Sequence, residues 1–571
     1  MQTAWDQTYL VWGLPLFGSA LVAAIPILLL LFLLGVKRKP AWLAALVGLA
    51  ATILLAIAAY RLSFVHTLSS AAYGAAFGLF PITWIIYWAI VLYRITVETG
   101  NFEIIKQSVG RITSDMRLQV LLIAFAFGAF LEGGAGFGTP VAVASAMMTG
   151  LGFSALDASA ICLLANTAPV AFGAIGIPVI TLAGITGLPL DRLSADVGRV
   201  CAPVSFLVPA YLIAAAAGRR AVVEIWPAVL VCGATFASVQ FFVSNFVGAP
   251  LTDILSSLLA LAALIVLLRF WRPRGDVESE QRSTRVSLRA LRNAADVTHS
   301  SPLPSASNTA TMLQHERAPQ LRTREVIVAW MPYILLVLFV LAWGYKPVQQ
   351  FLNGATAAFH WPWLHNEIRR MPPVVVKPSA YAATFTLNWL SAAGTSCMFA
   401  ALVSAAFLRM KAHAIIRLLA SVARQLFLPT LTVTAVLAMA FVMNYCGATG
   451  TLGLAFAATG ALFPFFSSML GWLGVFLTGS DTSANALFGN LQVVTAQKLG
   501  FAPTLMAAAN SAGGVMGKMI SLQTIAVAAA ATGLTVPEQA TLFRFTLRHS
   551  IFLAAVIGIE VFVYAYVFHV Q

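Results

Sequence analysis

The chain has 571 residues, of which 60% are hydrophobic and only 9% charged. Ordinary soluble domains carry roughly a quarter charged residues, so a soluble globular protein is excluded and an integral membrane protein is implied. The formal net charge of +14 would point to nucleic acid in a soluble protein, but most Lys and Arg here fall between apolar runs, where they set topology; no nucleic-acid partner is expected.

Apolar runs close to the roughly 20 residues needed to cross a bilayer begin at once, at 10–34, 41–60 and 71–93. The start, Met1 to Tyr9, holds Asp6 and no Lys or Arg. It lacks the basic region of a cleavable signal peptide, so the first span is expected to stay. Further runs lie at 155–181, 199–217, 222–246, 251–268, 326–344, 381–408, 425–445, 450–466, 503–530 and 546–568. Two more segments, 118–150 and 469–495, are split near the middle into pieces too short to cross alone. Each is therefore a re-entrant hairpin or one broken crossing. The expected fold is an all-α polytopic membrane protein with 12–14 crossings, two broken segments and a possible internal repeat. A barrel would need short alternating segments, which the sequence lacks.

Basic clusters give the orientation. Lys37, Arg38 and Lys39 end the first span, and Arg219, Arg220, Arg269, Arg272, Arg409 and Lys411 continue the pattern. With these in the cytoplasm the N-terminus is outside. Arg369, Arg370 and Lys377 break the rule in the long 345–380 connection. Residues 272–324, rich in Ser, Arg, Pro and Asn, read as a disordered cytoplasmic linker. Within them, Arg285 to Val297 is a candidate lipid-surface helix. The domain reading is a membrane half at 1–271, the linker at 272–324, and a second membrane half at 325–571. Between the halves, Phe130-Leu131 and Phe476-Leu477 are followed 36 and 34 residues after the Phe by Asn166-Thr167-Ala168 and Asn510-Ser511-Ala512.

The two splits carry the polar chemistry. The first reads Phe130-Leu131-Glu132-Gly133-Gly134-Ala135-Gly136-Phe137-Gly138, the second Phe476-Leu477-Thr478-Gly479-Ser480-Asp481-Thr482-Ser483-Ala484-Asn485. Non-helical backbone at membrane depth is tolerated only inside protein or beside a watery cavity, and a carboxylate there is a functional candidate by default. Glu132 suits a proton-coupling group, or a structural partner of Lys518. Gly133, Gly134, Gly136 and Gly138 let backbone approach a ligand, with N–H groups aimed at an anion. Asp481, Ser480, Thr482, Ser483 and Asn485 offer hydrogen bonds to a cation or a hydroxyl; Ser480 and Asp481 equally suit a helix N-cap. Lys518, in Gly513-Gly514-Val515-Met516-Gly517-Lys518, would need a carboxylate or bound anion beside it if buried. In Asn166-Thr167-Ala168-Pro169 through Pro178, two prolines and two glycines free carbonyls near Asn166, and Asn510 is its counterpart. Neither a phosphate loop, a nucleotide fingerprint nor a zinc motif has the right spacing, the five cysteines are scattered, and no Ser–His pairing supports an enzyme. No metal and no cofactor are expected.

The strings Phe130 to Ala142, Asn166 to Pro178, Gly474 to Phe488 and Gly513 to Gln523 strongly resemble the lactate permease family of bacterial inner-membrane transporters, over nearly the whole chain apart from the linker. The resemblance implies import of L-lactate, often also D-lactate and glycolate, by proton symport. Two positions depart from the family pattern: Gly134, where Ala is expected, and Leu522, where Pro is expected and whose change would alter the bend after Lys518. Combined with the residue reading, a 2-hydroxymonocarboxylate is expected near mid-membrane. Lys518 and half-helix N-termini near Gly133, Gly134 and Ser480 meet its carboxylate. Asn166, Thr167, Thr482, Asn485 or Asn510 meets its hydroxyl, and Glu132 or Asp481 takes the proton. The rival is a sodium-coupled carboxylate or dicarboxylate carrier, and the dicarboxylate carrier should need further cationic residues beside Lys518 for its second carboxylate; an intramembrane enzyme lacks its machinery. Oligomeric state is not fixed by the sequence.

Overall fold

The structure, a computed structural model, describes residues 4–136, 138–273 and 322–568. The 272–324 linker, with its Arg285 to Val297 segment, lies almost wholly outside the described residues. Among those described, twelve helices are long and apolar enough to cross a membrane, or thirteen when one bent pair counts as a span. This is the expected all-α polytopic fold.

One order of elements occurs twice. A 35-residue segment, Phe64–Glu98, precedes a split segment of two helices, Met116–Gly134 and Thr139–Gly150. A broken crossing follows, Ala155–Ala165 and Gly173–Thr186, and then one long helix, Leu190–Ala217. In the second half the corresponding pieces are Ala412–Cys446, the split pair Phe463–Thr478 and Asp481–Leu499, the pair Pro503–Lys518 and Leu522–Thr532, and Val536–Tyr566. Local chemistry sets the starts. The Asp115 carboxylate accepts from Arg117 N and Leu118 N, and Ser154, Ser480 and Ser521 each accept from the backbone N–H three residues on, satisfying donors left free at a helix start.

The 469–495 segment, which reads equally as a crossing or a re-entrant loop, folds back on itself. Gln492 donates to the carbonyl of Ser467 at 3.0 Å, and Gly474 faces Ala484 and Phe488 across the pair. The 155–181 run, expected as one span, is two helices bent by 67°. Pro169 and Pro178 remove donors there, and Ala174, Ile175 and Gly176 all take left-handed conformations. After Lys518 the chain runs on as one 30-residue span, Pro503–Thr532, with a shallow interruption only, so Leu522 in place of Pro brings no sharp bend. The expected 381–408 span is shortened to a helix at Ala393–Phe407. Thr384–Leu387 instead pairs antiparallel with Ala357–His360. On the same face, Trp5–Asp6 pairs with Ile368–Arg370, and Arg369 forms an ion pair with Asp6 at 2.6 Å. That pairing offsets one of the three positive charges that break the positive-inside pattern.

Helix Phe463–Thr478 packs against Pro503–Lys518 through glycine. A Cβ at Gly471 would collide with the Asn510 carbonyl, and one at Gly513 with the Ser468 carbonyl. Apolar side chains gain little from meeting each other in lipid, so close backbone approach holds such helices. Gly471→Ala is therefore expected to destabilise the protein by about 1–3 kcal/mol through overpacking, read as a lower unfolding midpoint in detergent. Gly110→Ala, whose Cβ meets nothing within 4 Å, should leave the midpoint unchanged.

Candidate functional site

All four interruptions of the paired segments meet at one cavity of about 410 Å³. Gly136 and Gly138 come from the first split, Val170, Gly173 and Ala174 from the bent crossing, Gly479 and Ser480 from the second split, and Lys518, Gln523 and Thr524 from the last. The lining reaches Ala41 and Trp42, just after Lys37 to Lys39, and so extends towards the face that the basic residues assign to the cytoplasm.

Glu132, Asp481 and Lys518, far apart in sequence, share this cavity. All three side chains are buried. The Lys518 ammonium donates to Glu132 Oε1 at 3.3 Å, joining the first half of the chain to the second. This approach needs Gly173, since a Cβ there would sit 2.7 Å from the same oxygen. Asp481 opens helix Asp481–Leu499, so a carboxylate and a helix N-terminus face the cavity together. Its Oδ2 accepts from Ser511 Oγ at 2.6 Å and Asn485 Nδ2 at 3.4 Å, while Oδ1 has no protein partner among the described residues. Gly479 makes the turn, with φ +73°, a conformation that a side chain disfavours.

Of the other sequence candidates, Ser480 and Thr482 line the cavity and Ser480 also caps its helix, accepting from Ser483 N at 3.3 Å. Asn485 and Asn510 stand behind the wall. Asn510 donates to Asn485 Oδ1 at 2.9 Å, Gln492 donates to Asn510 Oδ1 at 3.0 Å, and Asn485 also donates to the Pro178 carbonyl at 3.2 Å. This chain of amides fixes Asp481 and ties it to the opposite bent crossing. Asn166 ends helix Ala155–Ala165 off the cavity wall, buried with both amide atoms unpartnered among the described residues. Thr167 donates to the Leu164 carbonyl at 2.7 Å. Gly133 and Gly134 require a correction. They form the C-terminal end of a helix, not an N-terminus, because the chain keeps its helical turn through Gly134 and restarts only at Thr139.

Ser483, one of the hydroxyls read beside Asp481, is on the cavity wall, whereas sequence reasoning passed over Gln523 and Thr524, both on that wall, and Asp253, buried next to Gly133. A carboxylate opening an apolar run just after Gly248-Ala249-Pro250 was the available signal for the last. Among the described residues, no group of three or more His, Cys, Asp and Glu side chains is placed to hold a metal.

The sequence pattern of the L-lactate permease family matches residues 19–568. A glycolate permease of Escherichia coli K12 is 44% identical, the match covering 99% of this chain and 98% of the relative. An L-lactate permease of Bacillus subtilis 168 is also 44% identical, with 99% of each covered; the L-lactate permease of Escherichia coli K12 is 42% identical over 99% and 98%. A solved structure, the YdaH transporter of Alcanivorax borkumensis, superposes at a TM-score of 0.44 with 14% identity over 87% of each chain, too loosely to inform mechanism. These bacterial relatives, with twelve apolar helices of crossing length among the described residues, make this a multi-pass protein of the bacterial inner membrane. Matched over residues 19–568 by the pattern and over 99% of its length by these relatives, the chain belongs to the L-lactate permease family.

Proposed function

We propose that the protein imports L-lactate and related 2-hydroxymonocarboxylates, D-lactate and glycolate among them, by proton symport. The observation that carries this reading is the buried Lys518–Glu132 pair on the cavity wall. Among the described residues Lys518 is the sole Lys or Arg of that wall, which matches one carboxylate in the substrate and not two. The substrate carboxylate takes Lys518 from Glu132, aided by the helix N-terminus at Ser480 and Asp481. Its hydroxyl meets Ser480, Thr482 or Gln523. Glu132, deprived of its counter-charge in a low-dielectric site, takes a proton, so a neutral load crosses: one lactate anion with one proton.

Such a cycle carries no net charge, so a pH difference of one unit supplies about 1.4 kcal/mol, or about tenfold accumulation. Uptake of radiolabelled L-lactate into proteoliposomes checks this. An imposed inside-alkaline gradient should drive accumulation of that order, unlabelled glycolate and D-lactate should compete, and succinate should not. Accumulation that requires sodium and ignores the pH gradient would overturn the proton reading.

A further inference from the structure

Asp253 has no place in the cycle above, yet it is one of the most isolated acids in the protein. It is 1% exposed, and neither carboxylate oxygen has a protein hydrogen-bond partner among the described residues. It sits in the first turn of helix Thr252–Phe270, where a carboxylate ordinarily accepts from free backbone N–H groups or favours the positive helix end. Here it accepts from none of them, so capping does not account for it. Burying an acid without hydrogen bonds is costly, and such groups inside membranes mark ion and proton routes.

Its position gives the route. Glu132 presents Oε1 to Lys518 and the cavity, while Oε2 is buried without a protein partner. Asp253 is off the cavity wall, on the neighbouring helix, packed against the residue that follows Glu132. The two helices meet at Gly133, where an added Cβ would come within 2.8 Å of Asp253 Cβ and 3.0 Å of Ile254 N. Only a glycine next to Glu132 admits the aspartate this closely. The remaining titratable groups near by are unsuited to the task. Cys201 lies within electrostatic reach on helix Leu190–Ala217 but is a weak acid, and the Tyr333 hydroxyl on Thr323–Gly344 is 3.5 Å from the Thr96 hydroxyl.

We propose that Asp253 is a proton relay, holding a proton behind Glu132 and passing it, through one bridging water, to the glutamate when substrate takes Lys518. The empty carrier then has Lys518 positive, Glu132 negative and Asp253 neutral. Once loaded, the substrate anion balances Lys518, Glu132 is protonated from Asp253, and Asp253 is reprotonated from the aqueous phase. The net uptake is one proton per substrate. This inference rests on the proposed proton–lactate symport and names the group that supplies the proton.

The test uses full-length protein in proteoliposomes, with Asp253→Asn and Asp253→Glu beside wild type. Three quantities are read: accumulation driven by a pH gradient, lactate-induced proton uptake reported by an internal dye, and lactate–lactate counterflow at equal pH. For Asp253→Asn, accumulation and proton uptake should fall about tenfold or more, as for loss of a positioned proton-transfer group, while counterflow persists. Asp253→Glu should restore both. Wild-type accumulation in Asp253→Asn, or equal loss of counterflow and accumulation in folded protein, would overturn the relay. Failure of wild type itself to couple lactate to protons would instead defeat the underlying symport reading, so the two failures are distinguishable.

Discussion

Lys518→Gln is expected to abolish lactate transport and to weaken lactate binding more than any other single change on the cavity wall. The residue ends helix Pro503–Lys518, is buried, and holds Glu132 at 3.3 Å. Glutamine keeps most of the length and one donor group but loses the charge. In the empty protein Glu132 is then a buried carboxylate without its cation, and in the loaded one the substrate carboxylate has none either. Truncating one member of a buried, hydrogen-bonded charge pair costs about 2–5 kcal/mol, which at 25 °C corresponds to roughly 30-fold to several-thousand-fold in affinity. Binding of labelled lactate to purified protein across a range of concentrations checks the magnitude. Lys518→Arg tests whether charge alone suffices: the larger, planar guanidinium is not a conservative replacement for a compact ammonium, so binding should return only in part. Undiminished transport by Lys518→Gln would remove the anion site from the proposal.

The double substitution Lys518→Gln with Glu132→Gln separates fold from function. Removing both charges takes away the uncompensated acid, so the unfolding midpoint should recover towards wild type. Transport should not recover with it, because the substrate anion still lacks its partner.

How much of this was legible follows from what each residue type does to a backbone. Glu132 with its glycines and Asp481 with its hydroxyls interrupt apolar runs in the one-dimensional sequence, so both splits could be found there. The meeting of Glu132 with Lys518, 386 residues apart, could be suspected only because a buried cation needs an anion. The left-handed run through Ala174 and Ile175 was not readable, since neither residue favours that conformation and tertiary packing imposes it. Asn166 and Asn510, which look equivalent by spacing, prove different. The first ends its helix, whereas the second lies inside Pro503–Lys518, eight residues before the interruption. Asp253 escaped notice because a single acid at the start of an apolar run resembles an ordinary helix start, and only its unpartnered oxygens distinguish it. The short strand at 384–387 was hidden by its apolar and aromatic content, which extended the expected span back to residue 381.

Glu132→Gln is expected to uncouple the carrier while leaving its binding site in place. The amide preserves the shape that fits against Gly173, where even a methyl group would crowd the carboxylate, but it leaves Lys518 a buried cation without its partner, so the unfolding midpoint should fall while the site keeps its form. What changes is the empty state. In wild type Glu132 neutralises Lys518 when no substrate is present, and the cavity can change the side it faces without carrying a bare charge through the membrane. With glutamine only a bound carboxylate can neutralise Lys518, so the loaded form reorients and the empty form does not. Lactate already inside should then exchange with lactate outside, whereas net uptake against a gradient should cease. Under a one-unit pH difference, which drives wild type to about tenfold accumulation, the mutant ratio should stay near one, and its exchange rate should lose the pH dependence that protonation of Glu132 imposes. Glu132→Asp tests position separately from charge. The shorter acid leaves Lys518 farther from its partner, so coupling should be weakened but present. If Glu132→Gln still concentrates lactate under the pH gradient, the proton is carried elsewhere and Asp481, the other carboxylate on the wall, becomes the group to replace.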